Sequence, residues 1–157
     1  MNRGLWFLVA LGVIGAVIYF NAKGTYNKMV TSQEGVEAQW AQVENQYQRR
    51  ADLIPNLVVT VKGYKDFESE TVTGVAEARS KVGQLTVSKE VLESPELMAR
   101  FSDAQNELGQ VLNRLMSVAE SYPDLKANEG FSDLRIQLEG TENRISVARD
   151  RFNEAAR

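Results

Sequence analysis

The chain has 157 residues, enough for one domain of ordinary size, and a formal charge of -3 with 25% charged residues. That balance gives no support to nucleic-acid binding, which calls for a basic domain. It has neither cysteine nor histidine, which removes disulfides, thiolate metal sites and the commonest general base and metal ligand.

Gly4 to Phe20 reads GLWFLVALGVIGAVIYF, without a charged or strongly polar side chain. At about 1.5 Å per residue it would cover roughly 25 Å as a helix, the short end of a membrane span. The expectation is an uncleaved N-terminal transmembrane anchor over residues 1–25, with Leu5, Trp6, Phe7, Ile14, Ile18, Tyr19 and Phe20 in lipid. Trp6 and Tyr19 would lie at its two interfaces, bracketed by Arg3 and Lys23. The rival reading is a cleaved signal peptide, but Phe20-Asn21-Ala22 puts a large residue where cleavage needs a small one. Gly12 with Ala16 has the spacing of a helix-pairing signal, though a common one. Basic residues nearly tie on the two sides of the run, so they do not orient it.

From Tyr26 onward the pattern is helical to the end. A first helix over 26–51 carries Met29, Val36, Trp40, Val43 and Tyr47 at alternating four-three spacing or multiples of it. A second over 55–84 carries Leu57, Val61, Tyr64, Val72, Val75 and Val82. Between them lies Pro55, which removes a backbone donor and crowds the carbonyl four residues back. Two outcomes compete: a kink in one long helix, or a fold-back at Asp52 to Pro55. The apolar phase carries through, because Tyr47 to Ile54 is a whole heptad, which favours the kink. A straight helix from Tyr26 to Gln84 would, however, leave half its apolar seam without a partner, at about 25 cal/mol per Å² left in water. The fold-back is therefore the expectation.

Gly83 to Ser94 reads as a linker. Ser94-Pro95-Glu96 is a helix start: a capping hydroxyl, proline in the first turn, then an acid at the positive end of the dipole. A third helix follows to about Ser121, on Phe101, Leu108, Leu112 and Leu115, and Pro123 prevents its continuation. A fourth runs from Phe131 to the end, on Leu134, Leu138, Ile145, Ala148 and Phe152. The expected fold is all-α: the transmembrane helix, then an antiparallel four-helix bundle over 26–157 with Trp40, Leu57, Leu112 and Ile145 in its core.

Two polar clusters are candidate sites. Arg49, Arg50 and Asp52, beside Pro55 and Asn56, could grip a lipid headgroup or an acidic partner, or form a solvated helix end. Glu142, Asn143 and Arg149 share a helix with Ile145; Glu142 and Arg149 are seven apart and on one face. They could form a polar network inside the bundle or an ordinary charged surface. A carboxylate di-metal bundle needs histidines that this chain lacks. No serine or threonine has a suitable base beside it, and neither glycine-rich phosphate signature is present. No enzyme and no cofactor are expected.

The chain resembles the LemA family of bacterial membrane-anchored proteins. The likeness runs through Tyr26-Asn27, Val36 to Trp40 and Val43-Glu44, and is strongest from Gln48 to Leu57 with Val61 to Tyr64. It resumes at Ala78-Arg79, at Glu120 with Tyr122 to Asn128, from Glu139 to Ile145, at Ala148-Arg149 and at Phe152-Asn153. The resemblance implies one N-terminal membrane helix and an all-helical body at the cell membrane, with a lean toward the extracytoplasmic side. The expected function is that of a structural or interaction protein acting through self-association or protein partners, the alternative being a lipid- or ligand-binding module at the Arg49-Arg50 end. The resemblance names no activity. Some relatives resemble lipoproteins with a modified cysteine before the Tyr-Asn pair; this chain has none. Phe67-Glu68 stands where relatives usually have His-Glu, so no role of that histidine carries over. Relatives also usually continue past Asn153-Glu154 into a longer tail, whereas this sequence stops at Arg157.

Overall fold

A computed structural model describes residues 3–64, 69–85 and 89–157, with side chains from residue 11 onward and without those of 89 and 90. Phe67 and Glu68 fall outside the described residues, as do the side chains of Leu5, Trp6 and Phe7. The elements are α1 (Arg3–Lys62), α2 (Ser69–Gln84), α3 (Lys89–Glu93), α4 (Pro95–Ala119), α5 (Pro123–Lys126) and α6 (Glu129–Ala155), and no strand occurs among the described residues. Arg50 on α1 meets Glu142 on α6, while Trp40 meets Phe152, so these helices run antiparallel. Arg79 of α2 reaches Ala51 of α1, and Lys81 of α2 pairs with Glu107 of α4. The four long helices thus form an antiparallel bundle.

The expected fold-back at Asp52 to Pro55 does not occur. Pro55 lies inside α1, and the helix continues to Lys62 before the chain turns at Gly63, where Tyr64 donates to the Val61 carbonyl at 3.1 Å. The seam explains why: Val43, Tyr47, Arg50, Ile54, Leu57 and Val61 are all buried, in strict four-three alternation through the proline. Turning at Gly63 makes the bundle part of α1, from Val36 on, about 38 Å long at 1.5 Å per residue, matching α4 and α6. The bare half-seam that argued for a fold-back therefore never arises. The orphan created by Pro55 is the carbonyl of Ala51, four residues back, and Arg79 Nε donates to it at 3.2 Å. A side chain from the neighbouring helix thus replaces the missing backbone donor.

The core has two apolar clusters. One gathers Ile54, Leu57 and Val61 with Val72, Val75, Leu108, Leu112, Leu115, Leu125 and Leu138. The other gathers Trp40, Val43 and Tyr47 with Val91, Phe101, Ile145 and Ala148. Trp40, Leu57, Leu112 and Ile145 are all buried. The stretch read as a linker from Gly83 to Ser94 contains α3, whose Val91 closes the second cluster. Ser94 caps α4 by accepting from Leu97 N at 3.3 Å, and Asn128 caps α6 by accepting from Phe131 N at 2.9 Å.

The expectation of a transmembrane helix followed by the bundle is corrected. Among the described residues no helix is long and apolar enough to cross a membrane. Asn21 and Lys23 follow the apolar run at its C-terminal end. Nor is the segment a separate element: α1 passes residue 25 without a break, so arm and bundle share one helix. Ile14, Ile18, Tyr19 and Phe20 are exposed on that arm, Phe20 at 69%.

The Arg79–Ala51 bond gives a test. Arg79→Ala should cost about 1 kcal/mol, the net worth of one hydrogen bond. In a Pro55→Ala background, where residue 55 again donates to Ala51, the same change should cost only a few tenths. Equal costs in the two backgrounds, read from urea denaturation, would show that Arg79 does not substitute for the proline.

Candidate functional site

One polar layer separates the two apolar clusters, and its centre is Arg50. Heptad spacing puts this residue on the buried seam of α1, between Tyr47 and Ile54, so its side chain must enter the core; it is 3% exposed. Its Nη1 donates to Glu142 Oε2 of α6 at 2.9 Å. Its Nη2 donates to the backbone carbonyl of Gln105 of α4 at 3.0 Å and also to the Gln105 side-chain oxygen. The guanidinium lies over the Tyr47 ring, 5.2 Å from its centroid. Nε is buried with no hydrogen-bond partner among the described residues. Gln105 is itself buried between Phe101 and Leu108, one cluster on either side.

The partners differ in exposure. Glu142 is 62% exposed on its side chain, so the ion pair is screened at the carboxylate end. Burial pushes the Tyr47 hydroxyl above the ordinary phenol value of 10.0, and Glu142 adds to that; the nearby Arg149 and Arg50 charges and a hydrogen bond with Arg149 pull the other way. The hydroxyl therefore keeps its proton and is no base at neutral pH.

The structure redistributes the two sequence clusters. Arg50 and Glu142 come together, and Arg149 joins them through Tyr47. Arg49 and Asp52 point to solvent; Asp52 accepts from Gln48 Nε2 at 2.8 Å rather than from an arginine. Pro55 and Asn56 are exposed, and the Asn56 carbonyl accepts from Thr60 Oγ1 at 2.9 Å. Asn143 is exposed beside Glu142. Of the Arg49-Arg50 pair, Arg49 thus faces solvent while Arg50 turns into the bundle. Gln105 was missed by sequence reasoning. Its signal was available: a polar residue four after Phe101 and three before Leu108, in phase with the apolar seam.

Two hollows flank the layer in the groove between α4 and α6. One, of about 400 Å³, has Leu112, Met116 and Leu138 along its apolar wall; the other, of about 300 Å³, runs toward Tyr47 and Arg149. Arg50, Gly109, Asn113 and Glu142 line both, so the hollows meet at the ion pair. Among the described residues no group of three or more potential ligands could hold a metal ion. Chemically the layer offers a fixed guanidinium fork and amides. It can bind an anion or lock helix register.

An all-helical bundle with a buried arginine layer, extended by an apolar arm on its first helix, defines a class of helical scaffold. The chain belongs to the LemA family, whose model matches residues 39–157. The match begins one residue before Trp40, where the buried seam starts. The chain is 24% identical to Protein LemA of Metamycoplasma hominis over 97% of its own length and 64% of that protein. It is also 24% identical to Magnetosome protein MamQ of Magnetospirillum gryphiswaldense, over 99% of itself and 64% of the relative. For Magnetosome protein MamQ 2 of Paramagnetospirillum magneticum the figures are 25% identity, 83% and 54%. The chain thus spans less than two thirds of the length of these relatives.

Two predictions follow from the layer. Arg50→Ala leaves the buried Gln105 side-chain oxygen without its donor and opens a void, and should cost about 2–4 kcal/mol. Glu142→Gln keeps an acceptor at a solvated position and should cost under about 1 kcal/mol. Comparable losses in the two variants on urea denaturation would contradict a layer centred on Arg50. The second concerns pH. Tyr47 has its folded pKa raised above 10.0, so its stabilising effect is complete below pH 10.0 and is lost as pH rises through the folded value. Tyr47→Phe should therefore lose stability less steeply than the parent between about pH 9 and 11. Parallel slopes of stability against pH would remove the assignment.

Proposed function

We propose that this protein is a non-enzymatic interaction protein, held at a membrane surface by the apolar arm of α1 and working through self-association or protein partners of its helical body. The observation that carries this reading is the arm. Leu11, Val13, Ile14, Val17, Ile18, Tyr19 and Phe20 are all more than half exposed, on successive faces of one helix. A helix apolar on every side is not stable bare in water and needs an apolar surrounding. Lys23 and Lys28 lie just beyond, where anionic headgroups would meet them. Below the arm the surface of α1 turns polar, with Gln33 Nε2 donating to Glu37 Oε1 at 3.1 Å.

The non-enzymatic part of the reading is supported by the chemistry of the layer. Its tyrosine is held protonated and its arginine is always charged, so neither group cycles a proton. The burial of Arg50 turns the alternative reading, a headgroup grip by Arg49 and Arg50, away from that end of the seam.

Flotation tests the proposal. The full chain mixed with vesicles of phosphatidylcholine and phosphatidylglycerol should rise with the lipid in a density gradient. A variant with Ile14→Asp, Val17→Asp and Ile18→Asp should stay at the bottom while its bundle melts at an unchanged temperature. Parent protein remaining at the bottom, or a variant that still floats, would defeat the reading.

A further inference from the structure

We propose that the groove between α4 and α6 binds an apolar small molecule bearing a single carboxylate, which takes the place of Glu142 on Arg50. The proposal is independent of membrane association. It rests on an asymmetry in the ion pair. Arg50 is 3% exposed, whereas the side chain of Glu142 is 62% exposed. The cation cannot leave without emptying the core, but the carboxylate can swing into water at little cost. The hydrogen bonds divide the same way. Nη2 is tied twice to Gln105, by backbone and side chain, while Nη1 has a single bond, to Glu142. Nη1 is the exchangeable edge of the fork.

Access is built in at Gly109. A Cβ there would lie 3.7 Å from Arg50 Nη1, so the glycine leaves the approach from α4 open by the width of a side chain. The two hollows meet at this point, and the larger, about 400 Å³, falls in the range of small-molecule sites. Arg50, Asn113 and Asn143 are among its polar lining, and Leu112, Met116 and Leu138 supply its apolar wall. That is the layout for a polar head and an apolar body, with methionine adapting to the shape.

Charge selects a monoanion. The larger hollow is lined by Arg50 and Arg135 against Glu139 and Glu142, and Arg135 already faces Glu139 at 3.5 Å. A carboxylate that displaces Glu142 preserves this balance at Arg50. A dianion such as phosphate would bring one uncompensated charge to a site beside two glutamates.

The test uses the full chain without vesicles, with octanoate and octanol as probes, followed by calorimetry and by amide NMR shifts. Octanoate should bind at least about tenfold tighter than octanol and should shift the amides of Gly109 and Asn143. Glu142→Gln removes the internal competitor from an exposed position, where the fold tolerates it, and should tighten octanoate about tenfold while leaving octanol unchanged. Gly109→Leu closes the approach and should abolish the octanoate response. Equal affinity for the two probes would overturn the proposal and assign any uptake to the apolar arm. So would absence of octanoate binding, or a Glu142→Gln variant whose affinity is unchanged or weaker.

Discussion

Arg50 is a charge placed on a seam that is otherwise apolar, and the bundle is arranged so that this charge is never left alone. Burying a guanidinium without partners is prohibitive, and with partners it is close to neutral, so its effect is chiefly on which arrangement wins. The sequence of α6 makes this concrete. A slip of α6 by one heptad would keep Leu138 and Ile145 on the seam and lose little apolar burial. It would, however, move Glu142 away and bring Arg135 or Arg149 to its place, since these stand seven residues to either side. Both in-phase alternatives oppose arginine to arginine. A slip by four residues presents Leu138 or Ser146 and leaves the guanidinium without a counter-ion. Against a heptad slip the register between α1 and α6 is thus guarded by repulsion in the wrong arrangement as well as by attraction in the right one. Gln105 plays the matching part on α4, where it interrupts the run of Phe101, Leu108 and Leu112 at the level of Arg50.

What the sequence makes legible follows from what periodicity can report. The four-three spacing of Trp40, Val43, Tyr47, Ile54, Leu57 and Val61 identifies the buried face of α1 residue by residue. Ser94 with Pro95 marks the start of α4, because capping chemistry is local. The fold-back at Pro55 failed for a reason outside local sequence. The heptad phase already pointed to continuity, and the objection of an uncovered seam assumed that the helix ran on to Gln84. The chain turns at Gly63 instead, and the orphan carbonyl of Ala51 is satisfied by Arg79, 28 residues away. No window-based reading registers a donor at that separation. α3 is five residues long, too short to show a period, and only the burial of Val91 reveals its purpose.

The N-terminal run misled in a different way. Composition alone makes Gly4 to Phe20 look like a self-contained span. The structure joins it to the bundle in one helix, and among the described residues no helix is long and apolar enough to cross a membrane. Of the candidate site residues, Arg50, Glu142 and Arg149 converge although they come from separate clusters. Neighbouring Arg49 and Asp52 do not join them, because adjacent residues on a helix point about 100° apart.

Continuity of α1 has a mechanical consequence. From Phe20 to Arg50 is about 45 Å of helix with no loop between. A displacement of the arm therefore reaches the arginine layer as rotation or tilt of a rod, without the slack a flexible linker would introduce. The compliant points in this rod are Gly24 and Gly35, each less favourable than alanine by roughly 0.5–1 kcal/mol and each without any neighbour within 4 Å of an added Cβ. Pro55, where the backbone ladder is interrupted, lies on the far side of Arg50. Bending at the proline would move Leu57 and Val61 relative to the arm but would leave Arg50 fixed to it. Glu142 and Gln105, on separate helices, would stay with the rest of the bundle. The layer is accordingly the place where a motion of α1 against α4 and α6 must first break hydrogen bonds. Of those bonds the single one to Glu142 yields before the double attachment to Gln105.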